Sequence, residues 1–209
     1  MKPAALGVRM HSGWGVLVAI SGDAHSFDVL ERRRIVTADA SIRGAYQPYH
    51  RAAKLTLSKA GEYLARCAVL SERLARQALD DVVQALHDRD YRVGACAVLT
   101  GSGRPLPPLP KILASHPLRH TAEGVFFRKV VSAACHHLRI ATTSFREREL
   151  DQSVDDALGK AGRPIRETIA GLGRSLGPPW TLDHKKATVA ALLALATDAA
   201  HGKSSPVID

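Results

Sequence analysis

Residues 6–20, Leu6-Gly7-Val8-Arg9-Met10-His11-Ser12-Gly13-Trp14-Gly15-Val16-Leu17-Val18-Ala19-Ile20, set two short apolar runs on either side of a polar turn. Runs of this length, rich in Val, Leu and Ile, suit strands rather than helices, and the turn residues fold one back on the other. The pattern predicts an antiparallel hairpin with strands at 5–10 and 16–21. A second turn at Gly22-Asp23-Ala24-His25 leads to a third strand over 27–38, which carries Glu31-Arg32-Arg33-Arg34. Such a charge run marks an exposed sheet edge, where it opposes pairing with another chain; phosphate binding by Arg32, Arg33 or Arg34 is the second reading.

Residues 39–51 show no period and read as a loop. From 57 to 86, Leu57, Ala60, Leu64, Cys67, Leu74, Ala78, Val82 and Leu86 recur every three or four residues, with one double step across Ser71. That is the stripe of a long amphipathic helix, although two helices meeting near Ser71 would show almost the same one. Residues 91–100 form a short apolar run expected of a buried strand after a crossover helix. They end in Gly101-Ser102-Gly103-Arg104 and a proline-rich loop. A helix over 121–138, opened by Thr121 and a first-turn Glu123, precedes a β-branched strand at 140–145. Strand, helix, strand is a βαβ unit, so this half of the sheet should be parallel with a right-handed crossover. Helices to about 158, at 164–172 and at 183–200 complete one domain over 1–200, with 201–209 as a flexible tail.

Three antiparallel strands, then parallel strands with flanking and C-terminal helices, resemble the α/β mixed sheet of the ribonuclease H-like superfamily. Gly7-Val8-Arg9-Met10-His11-Ser12-Gly13-Trp14 is similar to a Gly-Val-Asp-(three or four residues)-Gly-Trp opening in that superfamily, and Asp183-x3-Ala187-x2-Ala190-Ala191-Leu192 to its final helix, whose Asp faces a metal site. The resemblance implies a cleft in which clustered carboxylates hold two cations and activate a water. Here Arg9 stands where the first-strand Asp belongs, and residues 100–103 supply no acid at the end of the fourth strand. An Arg in that position opposes a metal by several kcal/mol in a low-dielectric cleft, as an order-of-magnitude figure. No metal is therefore expected there unless Glu123 or Glu149 rebuilds the acidic set.

Candidate residues follow from this. Arg9, His11, Gly101, Ser102, Gly103 and Arg104 are candidate anion-binding residues, since glycines after a strand let backbone amides converge on a phosphate and the two Arg add charge-assisted bonds. His11, Glu123 and Asp183 are candidates for catalysis. Glu123 also reads as an acid complementing a helix N-terminus, and His11 as a solvated turn residue. His116 and His120 have i,i+4 metal-ligand spacing, but Pro117 between them disfavours a helix. Gly173-Arg174-Ser175-Leu176-Gly177 matches a nucleophile elbow in letters, yet a helix rather than a strand precedes it.

The chain has 209 residues, 45% hydrophobic, with a net charge of +9, enough for a full core. Residues 91–150 hold nine Lys/Arg against three Glu, while 151–209 balance at seven against seven. A local basic field suits nucleic acid or a phosphate-bearing small molecule, and equally a solvated basic surface. Ten Phe, Tyr and Trp residues are few for stacking single-stranded bases. Three scattered cysteines with no C-x-x-C spacing, no secretory signal and no spanning segment point to a reduced, cytoplasmic protein away from membranes. No cofactor motif is present. The expectation is a non-catalytic module binding a phosphate-bearing ligand. The alternatives are a metal-independent enzyme on a small anion, a nuclease with a rearranged acidic site, and a purely structural subunit.

Overall fold

A computed structural model of the chain describes residues 1–23, 26–101, 103 and 105–202. Strands β1 (Lys2–Met10), β2 (Trp14–Gly22) and β3 (Phe27–Val36) are followed by the short α1 (Pro48–Ala52) and the long α2 (Leu57–His87). Next come β4 (Tyr91–Thr100), α3 (Leu109–Ala114), α4 (His116–His137) and β5 (Ala141–Arg146). After a 3-10 turn at Glu147–Glu149 come α5 (Leu150–Leu158), α6 (Gly162–Gly171), α7 (Gly173–Leu176) and α8 (Leu182–Gly202). The five strands form one sheet in the order β3-β2-β1-β4-β5. β1 pairs antiparallel with β2 from Ala5–Ile20 to Met10–Gly15, and β2 with β3, whereas β1–β4 and β4–β5 are parallel. This is the mixed sheet expected from the sequence.

Each face of the sheet has its own core, and the period of two along the strands decides which side chain joins which. Leu6, Val8 and Met10 of β1 and Cys96 and Val98 of β4 face α2 and α4, packing on Leu79, Val82, Leu86, Phe127 and Val130. Ala5, Val18, Ile20, Ala97 and Leu99 face the other way, under Val154, Ile165, Ile169 and the apolar side of α8. Burial on both faces explains why β1, β2 and β4 read as nearly continuous apolar runs. β3 is an edge strand, and its charges are used locally. Arg32 donates to the carbonyls of Leu176, Gly177 and Pro179 at 2.8–3.0 Å, tying the turn before α8 to the sheet.

Several boundaries differ from the sequence reading. α2 is continuous through Ser71, which is buried within it. The expected loop at 39–51 contains the start of α1, and α4 begins at His116 rather than 121, with Pro117 in its first turn. A proline lacks only an N–H that the first turn leaves unpaired anyway, so it opens a helix rather than breaking one. Glu123 consequently lies two turns into α4 and not in its first turn. The sequence 173–177 is helical in α7 up to Leu176, so it forms no strand-to-helix elbow. α8 runs to Gly202, and 203–209 lie outside the described residues. Cys96 and Cys135, distant in the chain, meet between β4 and α4, where hydrogen bonding to the neighbouring thiol and burial raise the Cys96 thiol. No helix among the described residues is long and apolar enough to cross a membrane.

Candidate functional site

Three parallel strands, β1, β4 and β5, end along the same edge of the sheet, the place where α/β folds gather their ligands. Gly7 brings the last wall of this edge into position. A Cβ on Gly7 would collide with the backbone of Ala187 and Ala191, so only glycine lets α8 lie directly across β1. The first turns of α8 then deliver Asp183 and Lys186 over the end of β1, opposite Arg9.

Arg9 is held from two sides. Its Nε and Nη2 donate to Glu147 Oε2 and Oε1 at 3.0 and 2.8 Å, a bidentate pair, and its Nη1 donates to Asp183 Oδ1. Lys186 adds a contact to Glu147 Oε1 at 2.6 Å, and His11 Nε2 lies 3.1 Å from Asp183 Oδ2. Hydrogen bonding to Arg9, then to Lys186, holds the Glu147 carboxyl down at about 2, against the effect of its burial. The Arg9 guanidinium is pushed above its ordinary value, first by its bond to Glu147. His11 stacks on Trp14 with ring centroids 4.3 Å apart, and the Arg34 guanidinium lies 4.4 Å from the Trp14 ring centroid. Trp14 is thus engaged from within the fold and is no free platform for a base.

Beside this network opens a cleft of about 490 Å³ over Met10 and Leu99, lined by Thr100, Gly101, Arg128, Glu147, Arg148 and Lys186. Arg128 is half-buried, and burial pulls its guanidinium below the ordinary value. It forms no ion pair among the described residues. The loop after β4 runs past two guanidiniums, since a side chain at Gly101 would approach Arg128 and one at Gly103 would press on Arg146 at 3.2 Å.

Of the residues singled out from the sequence, Arg9, His11 and Asp183 come together in one network and Gly101 lines the adjoining cleft. Gly103 sits against Arg146. Ser102 and Arg104 lie outside the described residues. Glu149 is exposed and pairs with Arg146 and Arg148 at 3.1 and 3.2 Å, away from Asp183. Glu123 lies elsewhere, buried between α1 and α4 beneath His50, His116 and His120. Glu147, Arg128 and Lys186 were not read from the sequence. Glu147 carried a usable signal, since it is the first residue after a parallel strand and such ends form sites.

The carboxylates on this edge do not fit a pair of divalent cations. Among the described residues only Asp183 and Glu147 belong to this network, both already bind the Arg9 guanidinium, and Thr100 and Gly101 bring no third acid. A cation placed between the two acids would have to displace Arg9 or sit against it.

The chain has the ribonuclease H-like fold, as its topology and its solved neighbours agree. It is similar to Thermus thermophilus RuvC in complex with a Holliday junction substrate, with 14% identity, a TM-score of 0.50 and 98% of this chain covering 99% of that one. A second Thermus thermophilus RuvC structure matches with 13% identity and a TM-score of 0.50 over the same shares of the two chains. No protein-family model and no curated protein matches the chain.

Proposed function

We propose that this protein, as one ribonuclease H-like domain, binds nucleic-acid backbone phosphates at the C-terminal edge of β1, β4 and β5 without metal-dependent cleavage. The observation that carries this reading is the division of labour among the cations. Arg9 is taken up by Asp183 and Glu147, filling the acidic pocket, while Arg128 faces the cleft with no salt bridge among the described residues, its one carboxylate influence being the more distant Glu147 that Arg9 and Lys186 already bind. A half-buried guanidinium with no carboxylate bonded to it is costly, and two phosphate oxygens satisfy it bidentately. Arg148 and Lys186 on the same rim and the six-charge excess over 91–150 extend the favourable field beyond one contact. The shared fold with RuvC, which is seen with a Holliday junction substrate, supports nucleic acid as the source of those phosphates and branched DNA as the first probe.

Fluorescence anisotropy with labelled duplex and four-way-junction DNA, in magnesium, tests this. Wild type should bind and leave the strands intact. Arg128→Ala should weaken binding about tenfold and lower the slope of log affinity against log salt by about one. Cleavage that is lost in Asp183→Ala, or binding indifferent to Arg128→Ala, contradicts the proposal.

A second reading rests on the His11–Asp183 contact of 3.1 Å, because a carboxylate can orient an imidazole as a general base for metal-independent chemistry on a small anion. His11→Gln separates the two, since it abolishes such chemistry and leaves phosphate binding at Arg128 in place.

A further inference from the structure

Between α1 and α4, on the α2/α4 side of the sheet, three histidines meet. His50 comes from α1 and His116 and His120 from the first two turns of α4, one ring nitrogen from each lying within 4.8 Å of the others. Their ring centroids are 4.5–5.1 Å apart. Two packing features hold the helices in place. Pro48 and Ala52 are buried, and Tyr49 meets the edge of Phe126 at 6.3 Å. Beneath the histidines lies Glu123, whose side chain is 0% exposed. Its Oε1 accepts from His50 Nδ1 at 2.8 Å and from the His50 backbone N–H at 3.2 Å. Its Oε2 is buried, has no hydrogen-bond partner among the described residues, and lies 3.9 Å from His120 Nδ1.

We propose that His50, His116 and His120 bind one divalent transition-metal ion of the zinc class, with Glu123 orienting the ligands from behind. The tautomer of His50 points this way. Donation from Nδ1 to Glu123 leaves the Nε2 lone pair directed away from the carboxylate, the arrangement in which a metal-bound imidazole is held by an acid behind it. The second carboxylate oxygen points the same way. A buried acceptor without a donor is expensive, and a small turn of the His120 ring toward a shared metal would bring its Nδ1–H onto Oε2. Tetrahedral zinc with bonds of about 2.0–2.1 Å needs its nitrogens about 3.4 Å apart. Closing from a spacing within 4.8 Å asks at most about 1.4 Å, supplied by the exposed rings of His116 and His120 while His50 stays on Glu123. The negative Glu123 offsets part of the metal's charge next to Arg51 and Arg119, which flank His50 and His120 in the chain. Three imidazoles favour zinc, cobalt or nickel, whereas magnesium and calcium prefer oxygen donors. The ion would fasten α1 to α4, and the solvent side of the triangle leaves its fourth position to water.

The test uses the full-length, untagged chain stripped with a chelator. Zinc titrated against a chromophoric competitor should bind at one equivalent, cobalt should give the visible bands of a tetrahedral site, and zinc but not magnesium should raise the melting temperature. His116→Ala combined with His120→Ala should abolish binding, and since both side chains are exposed the chelated variant should melt with the chelated wild type. Glu123→Gln should lower affinity by about 10–100-fold at unchanged stoichiometry. His136→Ala combined with His137→Ala, at the far end of α4, should bind as wild type does. Zinc binding that is absent in wild type, survives loss of His116 and His120, or falls equally in the His136/His137 variant overturns the proposal.

Discussion

Glu147 and Glu123 are both acids that the fold draws in from solvent, and the difference between them lies in what they face. Glu147 meets Arg9 and Lys186, so its negative charge is answered by cations built into the chain. Glu123 lies beneath three imidazoles and keeps one oxygen without a hydrogen-bond donor among the described residues. The first cluster is closed electrostatically, because an incoming metal ion would compete with a guanidinium already bound twice. The second is open, since nothing among the described residues satisfies its nitrogen lone pairs and spare carboxylate oxygen together. Counting acids in a cleft is therefore a poor guide to metal binding; counting acids against the cations that reach them is a better one.

The largest expected effect comes from removing the cation that closes the first cluster. Arg9→Ala leaves Asp183 and Glu147 half-buried and mutually repelling, and should destabilise the fold by about 2–3 kcal/mol in urea unfolding, within the range for charged hydrogen bonds in a partly desolvated site. Arg9→Asp should go further in kind. With a third carboxylate in place of the guanidinium, magnesium should raise its melting temperature, and should leave that of wild type unchanged. If Arg9→Asp stays indifferent to magnesium, charge compensation is not what separates the two clusters.

The second effect is pH-dependent. The Glu147 carboxyl is lowered from 4.5 to about 2 on folding, so the folded chain binds fewer protons there than the unfolded one. Its contribution is full above 4.5 and is lost as the pH falls toward about 2. With solvent screening of a partly exposed pair allowed for, this is worth about 1–2 kcal/mol. The stability gap between wild type and Glu147→Gln should be widest near neutrality and narrow through that acidic window. A gap independent of pH would mean that Glu147 acts by packing and not by charge.

The fold was legible in the sequence because hydrophobic period reports burial, and here both sheet faces are covered. The hairpin, the parallel β4 and the long α2 all follow from runs and stripes that one turn or one crossover closes. Arg9 and Asp183 were legible through their motifs, and their direct pairing follows from α8 lying across Gly7. The histidine cluster was not legible. His50 sits in a segment with no period, and its approach to His116 and His120 depends on α1 docking against α4, which no local pattern encodes. Pro117 also pointed the wrong way, because the same residue that breaks a helix interior opens a helix when it falls in the first turn. Glu147 and Glu149, two residues apart, are not separable by sequence, which does not say at which residue β5 stops and the 3-10 turn begins.

That neighbouring pair supplies the smallest expected effect and the finest control on the comparison. Glu149, like Glu147, has its carboxyl lowered by guanidinium partners, first Arg146 and then Arg148. The two acids differ in exposure and geometry. Glu149 and its partners stand in solvent, with every contact of 3.1–3.2 Å falling on the one oxygen Oε1, whereas both oxygens of Glu147 are gripped by the two-pronged Arg9 under α8. Water and salt screen the exposed cluster, and holding its long side chains in one geometry costs entropy that offsets the attraction. Glu149→Gln should therefore leave the urea midpoint unchanged at neutral and at acidic pH, at low and at moderate salt. A loss at neutrality approaching that of Glu147→Gln would show that Arg146 and Arg148 belong to the same electrostatic framework as Arg9. The closed cluster would then extend along the whole rim of the cleft.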